Sequence, residues 1–373
     1  MKIGRPEIRQ LNGETTYSVR VESSEGAQTL WYRVENEYAE FLATASDAPL
    51  LALLIFAMTL GEDIHLDGEV SERLWFNLAG PYQRLLRQTI PALRPVKIIP
   101  SGIYAPARRG KAVVTGFSLG VDSYCVLADH HYAAAPVGFR LTHLLYNNVG
   151  SHGKGGERLF LERCENVRPV AARIGLPLIR VNSNLAAFYQ TKHSFQQTHT
   201  PRNASVPLLL QQGVGTFLYA ASYQFLDCTF GSTPDIGRSD NGALPLFSTP
   251  TVEMHSAGSE YTRVEKTIRI SDLPDTHSSL DVCVGNERGG NCSQCRKCLK
   301  TMFTLEVAGR LDRYSRVFDL ELYRKKRDAF LPTILVGKHP LQKEIARFAR
   351  KQQFPIPWPV WIRAWLFRPQ EER

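Results

Sequence analysis

The stretch that most constrains the fold of this chain runs from residue 111 to residue 127 and reads KAVVTGFSLGVDSYCVL. Its apolar start predicts a short buried strand of a parallel sheet, and Asp122 and Ser123 open a helix after a turn of small residues. Such a turn forms an anion site, because unpaired N–H groups of the helix point outward and the helix dipole favours negative charge. The stretch therefore predicts an α/β fold with an anion site at the end of one strand.

The turn itself carries the motif Ser118-Leu119-Gly120-Val121-Asp122-Ser123. This motif resembles the PP-loop, S-G-G-x-D-S, of the ATP pyrophosphatases, which cleave ATP to AMP and pyrophosphate. Leu119 replaces the first glycine of the motif, so that it either takes an ordinary backbone conformation or alters one backbone contact to pyrophosphate. The simpler interpretation is an ordinary Gly/Ser turn between a strand and a helix.

Strand and helix patterns alternate after this turn. Residues 141–146 and 178–181 predict strands, residues 157–174 predict a helix, and residues 206–225 predict a long apolar helix. Residues 231–251 are rich in Gly, Pro, Ser and Asp and predict a long loop of the kind that is functional or mobile. The alternation predicts a doubly wound parallel sheet that binds its ligands outside the carboxyl ends of its strands.

The first hundred residues predict an extra N-terminal α+β lobe. Residues 16–22 and 29–34 predict a strand pair, residues 48–60 an apolar helix, and residues 68–79 and the segment from Pro81 two further helices. This part contains no catalytic constellation. We expect it to dock on the sheet domain or to cover the mouth of its site.

Four cysteines, Cys283, Cys292, Cys295 and Cys298, follow one another in steps of nine, three and three residues. Four thiolates at this spacing predict a tetrahedral structural zinc, with an iron–sulfur cluster as the alternative. A saturated site has no open position for water, so we expect it to pin its surroundings onto the sheet domain rather than to catalyse. The other three cysteines lie singly in apolar segments and predict core positions.

The PP-loop and the cysteines together resemble the 7-cyano-7-deazaguanine synthase family of queuosine biosynthesis, over roughly residues 110–305. Tyr146-Asn147-Asn148 stands where that family has Tyr-Gly-Gln, Glu157 matches its acidic helix start, and Arg202-Asn203 matches its Gly-Arg-Asn. Its Gly-Tyr-Pro-Asp-Cys-Arg segment is not recognisable in residues 231–251, although Asp235, Arg238 and Asp240 lie there. This departure, Leu119 and the N-terminal lobe favour a divergent member of the family.

The resemblance implies the fold of the adenine nucleotide alpha hydrolases and the cofactors ATP, Mg²⁺ and Zn²⁺. ATP would activate a carboxylate as an acyl-adenylate, and ammonia would then form an amide, which a second activation can dehydrate to a nitrile. Arg202 would hold a phosphate, and its alternative role is that of a surface arginine beside a helix cap. The resemblance assigns ATP binding to Thr115, Gly116, Ser118, Leu119, Gly120, Val121, Asp122, Ser123, Tyr146, Asn148 and Asn203, and catalysis to Asp122, Ser123 and Arg202.

Two other functions fit the same sequence. One is a PP-loop enzyme that modifies nucleic acid, as in tRNA modification or the deazapurine chemistry of phage defence, with a nucleic acid or a protein as its substrate. The other is a nucleotide-binding protein whose PP-loop has decayed at Leu119. The formal net charge of +9 and the basic tail favour acidic partners.

The tail combines basic and aromatic residues. Residues 341–351 predict an amphipathic helix, and residues 354–367 contain three tryptophans, which we expect to dock on the N-terminal lobe or on a second subunit of a homodimer. No apolar stretch is long enough to span a bilayer, and Met1 is followed by polar residues, so we expect a cytoplasmic protein. The predicted domains are the accessory lobe (1–105), the PP-loop ATP-binding domain (106–272), the zinc-binding helical lobe (273–332) and the basic aromatic tail (333–373).

Overall fold

The structure, a computed structural model, describes residues 1–105, 109–153, 156–189, 192–283 and 289–366. It is an α/β protein with one mostly parallel sheet of 11 strands, flanked by helices. In chain order the strands are β1 (Lys2–Ile3), β2 (Glu7–Leu11), β3 (Glu14–Ser23), β4 (Gly26–Glu35), β5 (Ile64–Ser71), β6 (Ile98–Tyr104), β7 (Ala112–Gly116), β8 (His143–Asn147), β9 (Leu178–Ser183), β10 (Val214–Ala220) and β11 (Glu253–Ala257).

The α-helices are divided between two compact units. In chain order they are α1 (Asp47–Leu60), α2 (Glu72–Ala79), α3 (Pro81–Thr89), α4 (Val121–Leu127), α5 (Gly156–Ile174), α6 (His199–Leu209), α7 (Asp240–Ala243), α8 (Arg263–Ile270), α9 (Thr276–Ser279), α10 (Arg296–Val307), α11 (Leu320–Leu335), α12 (Pro340–Lys351) and α13 (Trp358–Leu366). No helix in the described ranges is both long enough and apolar enough to cross a membrane.

The strand order of the sheet reverses at β7. The order is β11-β10-β7-β8-β9-β4-β3-β1-β5-β6, and β2 pairs with β3 outside this path. The five strands from β7 to β11 pair in parallel. The chain runs outward from β7 through β8 to β9, and then places β10 on the opposite side of β7. This is the order of a doubly wound sheet, whose ligands bind outside the carboxyl ends of the strands at the reversal. β7 is the strand that precedes the Ser118–Ser123 motif.

The N-terminal strands extend this sheet and do not form a sheet of their own. β3 and β4 pair as predicted, but β4 also pairs antiparallel with β9, with Tyr32 opposite Ser183 and Val34 opposite Val181. One unit comprises residues 1–117, 134–221 and 228–257, and the other comprises 118–133, 222–227 and 258–373. The predicted boundaries after residues 105, 272 and 332 each fall inside one of these units.

The predicted helix over residues 206–225 is wrong. α6 ends at Leu209, and the same apolar run continues as the buried strand β10. A continuous apolar run fits a buried helix or a buried strand equally well by periodicity. Here residues 214–220 pair in parallel with β7 and β11 and so form a strand. The backbones approach closely at this point, since a Cβ atom on Gly215 would lie only 2.0 Å from the carbonyl oxygen of Gly110. The helix predicted over 68–79 is likewise shorter, since residues 68–71 belong to β5.

The core of the first unit forms around α1, which is buried along nearly its whole length. The buried carboxylate of Asp47 begins this helix and accepts hydrogen bonds from the Ser71 N–H, the Tyr104 hydroxyl and the Gln211 amide. Burial raises the pKa of Asp47, and these three donors partly offset the effect. The most apolar helix of the sequence therefore begins with a buried carboxylate whose two oxygens both accept hydrogen bonds.

The tail belongs to the second unit. α13 contacts α11, and its Val360 and Ala364 side chains are buried. Trp358 and Trp361 are 73% and 46% exposed, and the docking of the tryptophans on the N-terminal lobe or on a second subunit stays a prediction.

The close backbone approach at β10 generates a stability prediction. Gly215→Ala should lower the free energy of unfolding by about 1–3 kcal/mol, because the new methyl group would collide with a backbone oxygen that cannot rotate away. Gly116→Ala at the end of β7 is the matched control, since its Cβ would meet nothing within 4 Å. Urea denaturation of the two variants measures this difference, and equal stabilities would contradict the strand assignment.

Candidate functional site

The motif turn lies in the second unit and has a left-handed residue where a PP-loop has glycine. Leu119 has a φ of 62° and is 5% exposed. Leu119 is therefore not in the ordinary backbone conformation that was one of the two expectations. The left-handed conformation is unfavourable by roughly 1–2 kcal/mol for a residue with a side chain. Its carbonyl accepts the backbone N–H of Asp281 at 2.9 Å. The turn therefore keeps a shape that glycine adopts freely, at a cost in strain.

The neighbouring residues of the turn divide into exposed and buried. The Ser118 side chain is exposed, whereas Ser123 is buried and its hydroxyl donates to the Gly120 carbonyl at 3.0 Å. Gly120 has an ordinary extended conformation, and a Cβ there would lie 3.3 Å from the Ser118 Oγ. The Val121 side chain is buried, so Val121 can offer a ligand only its backbone.

Two basic side chains from α8 converge on Asp122. The Nη2 of Arg263 lies 2.8 Å from Asp122 Oδ2, and the Nζ of Lys266 lies 3.4 Å from Oδ1. Asp122 is 24% exposed, and the Lys266 side chain is almost completely buried. Burial alone would raise the pKa of Asp122, but the two cations and their hydrogen bonds lower it below its usual value. Asp122 is therefore held as a carboxylate between two cations.

α10 adds two lysines to this basic cluster. Burial, followed by the positive charges of Arg263, Lys297 and Arg296, lowers the pKa of Lys300 to about 8. Partial loss of hydration and the charge of Arg263 also lower the pKa of Lys297, while Asp122 opposes the shift. Neither lysine forms an ion pair within the described residues. The turn thus lies in a region of concentrated positive charge.

The four predicted metal ligands come together in this same unit. Their Sγ atoms all lie within 4.8 Å of one another, with 3.9 Å from Cys283 to Cys295, 3.9 Å from Cys292 to Cys298 and 3.5 Å from Cys295 to Cys298. Tetrahedral Zn–S bonds of about 2.3 Å place the sulfurs about 3.8 Å apart. The four cysteines are free of disulfides and can hold a metal ion such as zinc.

Sequence reasoning missed Asn291, which binds the cysteine knuckle together. Its amide nitrogen donates to the carbonyls of Leu280 and Val317, and its oxygen accepts the Val282 N–H at 2.9 Å. Residue 291 directly precedes Cys292, and this position beside a ligand was the only signal in the sequence. Since Asp281 in the same segment bonds to Leu119, the knuckle is joined to the motif turn by hydrogen bonds.

The other predicted site residues lie in the first unit. The Thr115 hydroxyl donates to the Leu218 carbonyl at 2.7 Å and so ties β7 to β10. Gly116, at the carboxyl end of β7, has open space around its Cβ position. Asn203, in the first turn of α6, donates to the His199 carbonyl at 2.9 Å. Of these three, Gly116 alone has its surroundings open.

Tyr146 lies in β8, Asn148 directly follows that strand, and both side chains are buried. The Tyr146 ring stacks on Phe160 with centroids 5.2 Å apart. The Asn148 amide donates to Asn182, which in turn donates to Glu157 at 2.6 Å. These contacts link the end of β8 to β9 and to the start of α5.

Arg202 is not a surface arginine, since it is 2% exposed. Beside it on α6, His199 contacts the Tyr219 hydroxyl through Nδ1 and Asp235 Oδ1 through Nε2. Asp240, 1% exposed, accepts the Thr200 hydroxyl at 2.6 Å with one oxygen and has no partner for the other. Burial raises the pKa of Asp240 to about 7. The polar composition of residues 231–251 was the sequence signal for this buried acidic group.

No known protein family matches this chain, and no curated protein or solved structure is detectably similar to it. Function is therefore inferred from the residues of the chain and their geometry.

The cysteine geometry predicts one metal ion per chain. Cys295→Ser should abolish metal binding and lower the melting temperature, because metal binding and folding are coupled. Elemental analysis and thermal unfolding measure the two effects, with Cys228→Ser, outside the cluster, as the control. A Cys295→Ser protein that keeps a full equivalent of metal would contradict the four-ligand site.

The buried Asp240 predicts a pH-dependent stability. A carboxyl group whose pKa is raised on folding stabilises the protein below the unfolded value near 4, and this stability is lost as the pH rises through about 7. By pH 8 the loss is up to about 4 kcal/mol, and Asp240→Asn should remove it. Urea denaturation at pH 5 and pH 8 tests this, with the exposed Asp272→Asn as the control. Parallel pH profiles of wild type and Asp240→Asn would refute it.

Proposed function

We propose that this chain is an ATP-dependent ligase that adenylates a carboxylate and releases pyrophosphate, in the manner of the 7-cyano-7-deazaguanine synthases. The observation that carries the proposal is the convergence of Arg263 and Lys266 on the single carboxylate of Asp122, within the turn that follows β7. Positive charge held in place before the substrate arrives is what stabilises the anionic leaving group of adenylation.

The local charge balance supports a phosphate ligand. Lys297 and Lys300 offset the two negative charges of a zinc ion held by four thiolates. Arg263 and Lys266 then supply two positive charges against the one negative charge of Asp122. The remaining positive charge attracts an anion and not a second cation.

The position of the turn supports a nucleotide. It follows the strand at which the strand order reverses, and in open α/β sheets that is where ligands bind. The left-handed Leu119 preserves the turn in spite of its side chain. This conformation argues against the alternative of a decayed PP-loop, because the residue that departs from the motif keeps the backbone shape that glycine allows.

In the proposed reaction an oxygen of the substrate carboxylate attacks the α-phosphorus of ATP, and the bond to the pyrophosphate oxygen breaks. Arg263 and Lys266 would neutralise the departing pyrophosphate, and the Ser118 hydroxyl would orient it. Ammonia then attacks the acyl carbon, and AMP leaves with the bridging oxygen. Each step leaves charge on phosphate oxygens, which is the charge that this cluster is arranged to receive.

Magnesium would enter this site on the phosphates of ATP. Both oxygens of Asp122 already accept hydrogen bonds from Arg263 and Lys266. The site therefore fits a Mg²⁺ ion whose ligands are mostly water and phosphate oxygens. For the cysteine site we propose zinc over an iron–sulfur cluster, because the sulfur spacing matches a single tetrahedral ion. Its role would be to hold the Asp281 segment against the motif turn.

The substrate class rests on the resemblance and is a deazapurine carboxylic acid, 7-carboxy-7-deazaguanine, with ammonia as the nitrogen donor. The alternative of a nucleic-acid substrate draws support from α12, whose Lys343, Arg347, Arg350 and Lys351 side chains are exposed. Addition of tRNA to the assay below separates the two, since a nucleic-acid substrate would make pyrophosphate release depend on it.

Asp122→Asn tests the proposed activity. The variant should lose pyrophosphate release from ATP and acid by at least about 100-fold, because it unbalances the cations that the phosphates need. It should also lose roughly 1–3 kcal/mol of stability at pH 7, an effect that vanishes below the lowered pKa of Asp122. Pyrophosphate and AMP are measured over time, with stability followed in parallel.

Asp272→Asn is the matched control, because Asp272 also bridges arginines of the second unit but is largely exposed. It should retain full turnover. An Asp122→Asn protein as active as this control would overturn the assignment of the turn to ATP.

A further inference from the structure

The guanidinium of Arg202 is buried without a carboxylate partner among the described residues. It lies in the first turn of α6 and is 2% exposed. Its Nη1 donates to the Thr198 hydroxyl at 3.2 Å, whereas Nε and Nη2 are buried and have no hydrogen-bond partner. Burial lowers the pKa of Arg202 to about 10, and the nearby Tyr189 and Tyr32 partly oppose this, so the group stays charged at neutral pH.

The two unpaired nitrogens form one edge of the guanidinium. The N–H bonds of Nε and Nη2 point in the same direction and match two oxygens of a carboxylate or a phosphate. Two aromatic rings lie against the group, since its Cζ lies 4.8 Å from the ring centroid of Tyr189 and 5.1 Å from that of Phe195. The Nε–Nη2 edge is the part of the guanidinium that lacks a partner among the described residues.

Keeping this edge unpaired is unfavourable. Buried charges in proteins are paired, because desolvation penalises an isolated ion far more than a neutral polar group. Stacking on two rings offsets part of this penalty but satisfies neither N–H group. A ligand that carries its own negative charge would supply what the chain lacks.

A glycine covers the unpaired edge. Gly150 has a φ of +107°, and a Cβ built on it would lie 1.9 Å from Arg202 Nη2. Any side chain at position 150 would occupy the space of the guanidinium edge. Gly153, three residues on, also has a positive φ. Val149 and His152 are buried, so only Gly150 and the exposed Ser151 can give way to a ligand.

We propose that the Nε–Nη2 edge of Arg202 binds an oxyanion of the substrate, namely its carboxylate, and that the backbone at Gly150 and Ser151 moves aside to admit it. Carboxylate and phosphate share the chemistry of two adjacent oxygens. The aromatic rings of Tyr189 and Phe195 favour a planar aromatic acid, because flat rings stack on one another. This choice of acid rests on the proposed function, whereas the oxyanion site rests on the geometry alone.

Calorimetric binding without turnover tests the site. The probes are 7-carboxy-7-deazaguanine, its neutral 7-amide and ATP, each titrated separately into wild type, Arg202→Lys and Arg202→Met. The affinity for the acid should fall roughly 10- to 100-fold in both variants, because lysine keeps the charge but loses the fork. The affinities for the amide and for ATP should not change. Arg180→Gln, at an ion-paired arginine of the same unit, is the control and should bind all probes as wild type does.

Three results would overturn the proposal. If the acid binds Arg202→Met as tightly as wild type, or binds wild type no better than the amide does, Arg202 is not an oxyanion site. If the affinity for ATP falls and that for the acid does not, the edge binds phosphate and the carboxylate assignment is wrong. If the wild type binds the acid but releases no pyrophosphate, the proposed ligase activity is refuted and the oxyanion site at Arg202 is not.

Thermal unfolding separates a binding role from a structural one. Arg202→Met should melt at or above the temperature of the wild type without ligand, because it removes a buried unpaired charge and keeps the apolar stem. The acid should raise the melting temperature of the wild type only. A fall in the melting temperature of Arg202→Met without ligand would show that the stacked guanidinium supports the fold, and would overturn the proposal.

Discussion

A backbone hydrogen bond joins the motif turn to the segment that leads into the cysteine knuckle. The N–H of Asp281 donates to the carbonyl of Leu119 and so connects the cysteine knuckle to the motif turn. Leu119 can present that carbonyl because it adopts the left-handed conformation. Cys283, two residues after Asp281, donates its own N–H to the Asp281 carboxylate. The cysteine knuckle, the left-handed turn and the start of α4 are therefore connected by hydrogen bonds.

Electrostatics in the second unit follow from helix placement. The cations of α8 reach Asp122 because the helix begins at Arg263, whose backbone N–H donates to the buried carboxylate of Glu344 at 2.8 Å. α12, in the predicted tail, thus holds the helix that supplies the cations of the site. The basic tail of the sequence therefore contributes, through Glu344, to holding the helix that carries Arg263 and Lys266.

The first unit keeps polar groups buried at a cost to stability. Arg202 has two unpaired nitrogens, and Asp240 has one unpaired oxygen with a raised pKa. Both lie within or beside the first turn of α6 and its partner loop, whereas the buried carboxylate of Asp47 is fully hydrogen-bonded. Natural proteins tolerate such uncompensated groups mainly at functional sites, since stability and activity compete there. Arg202 thus differs from Asp47, because its buried charge lacks the hydrogen-bond partners that Asp47 has among the described residues.

The sequence by itself determined the local features. The apolar run into a Gly/Ser turn specified β7, the turn and the start of α4, and cysteine spacing specified a four-sulfur cluster, because these depend on neighbours in the chain. Only the tertiary structure decided that residues 214–220 form a strand, since an apolar run has no period that excludes a helix. It also decided that Arg263 and Lys266, 141 and 144 residues beyond Asp122, converge on that carboxylate. The burial of Arg202 was likewise beyond the sequence, because packing between distant segments sets which side chains lose water.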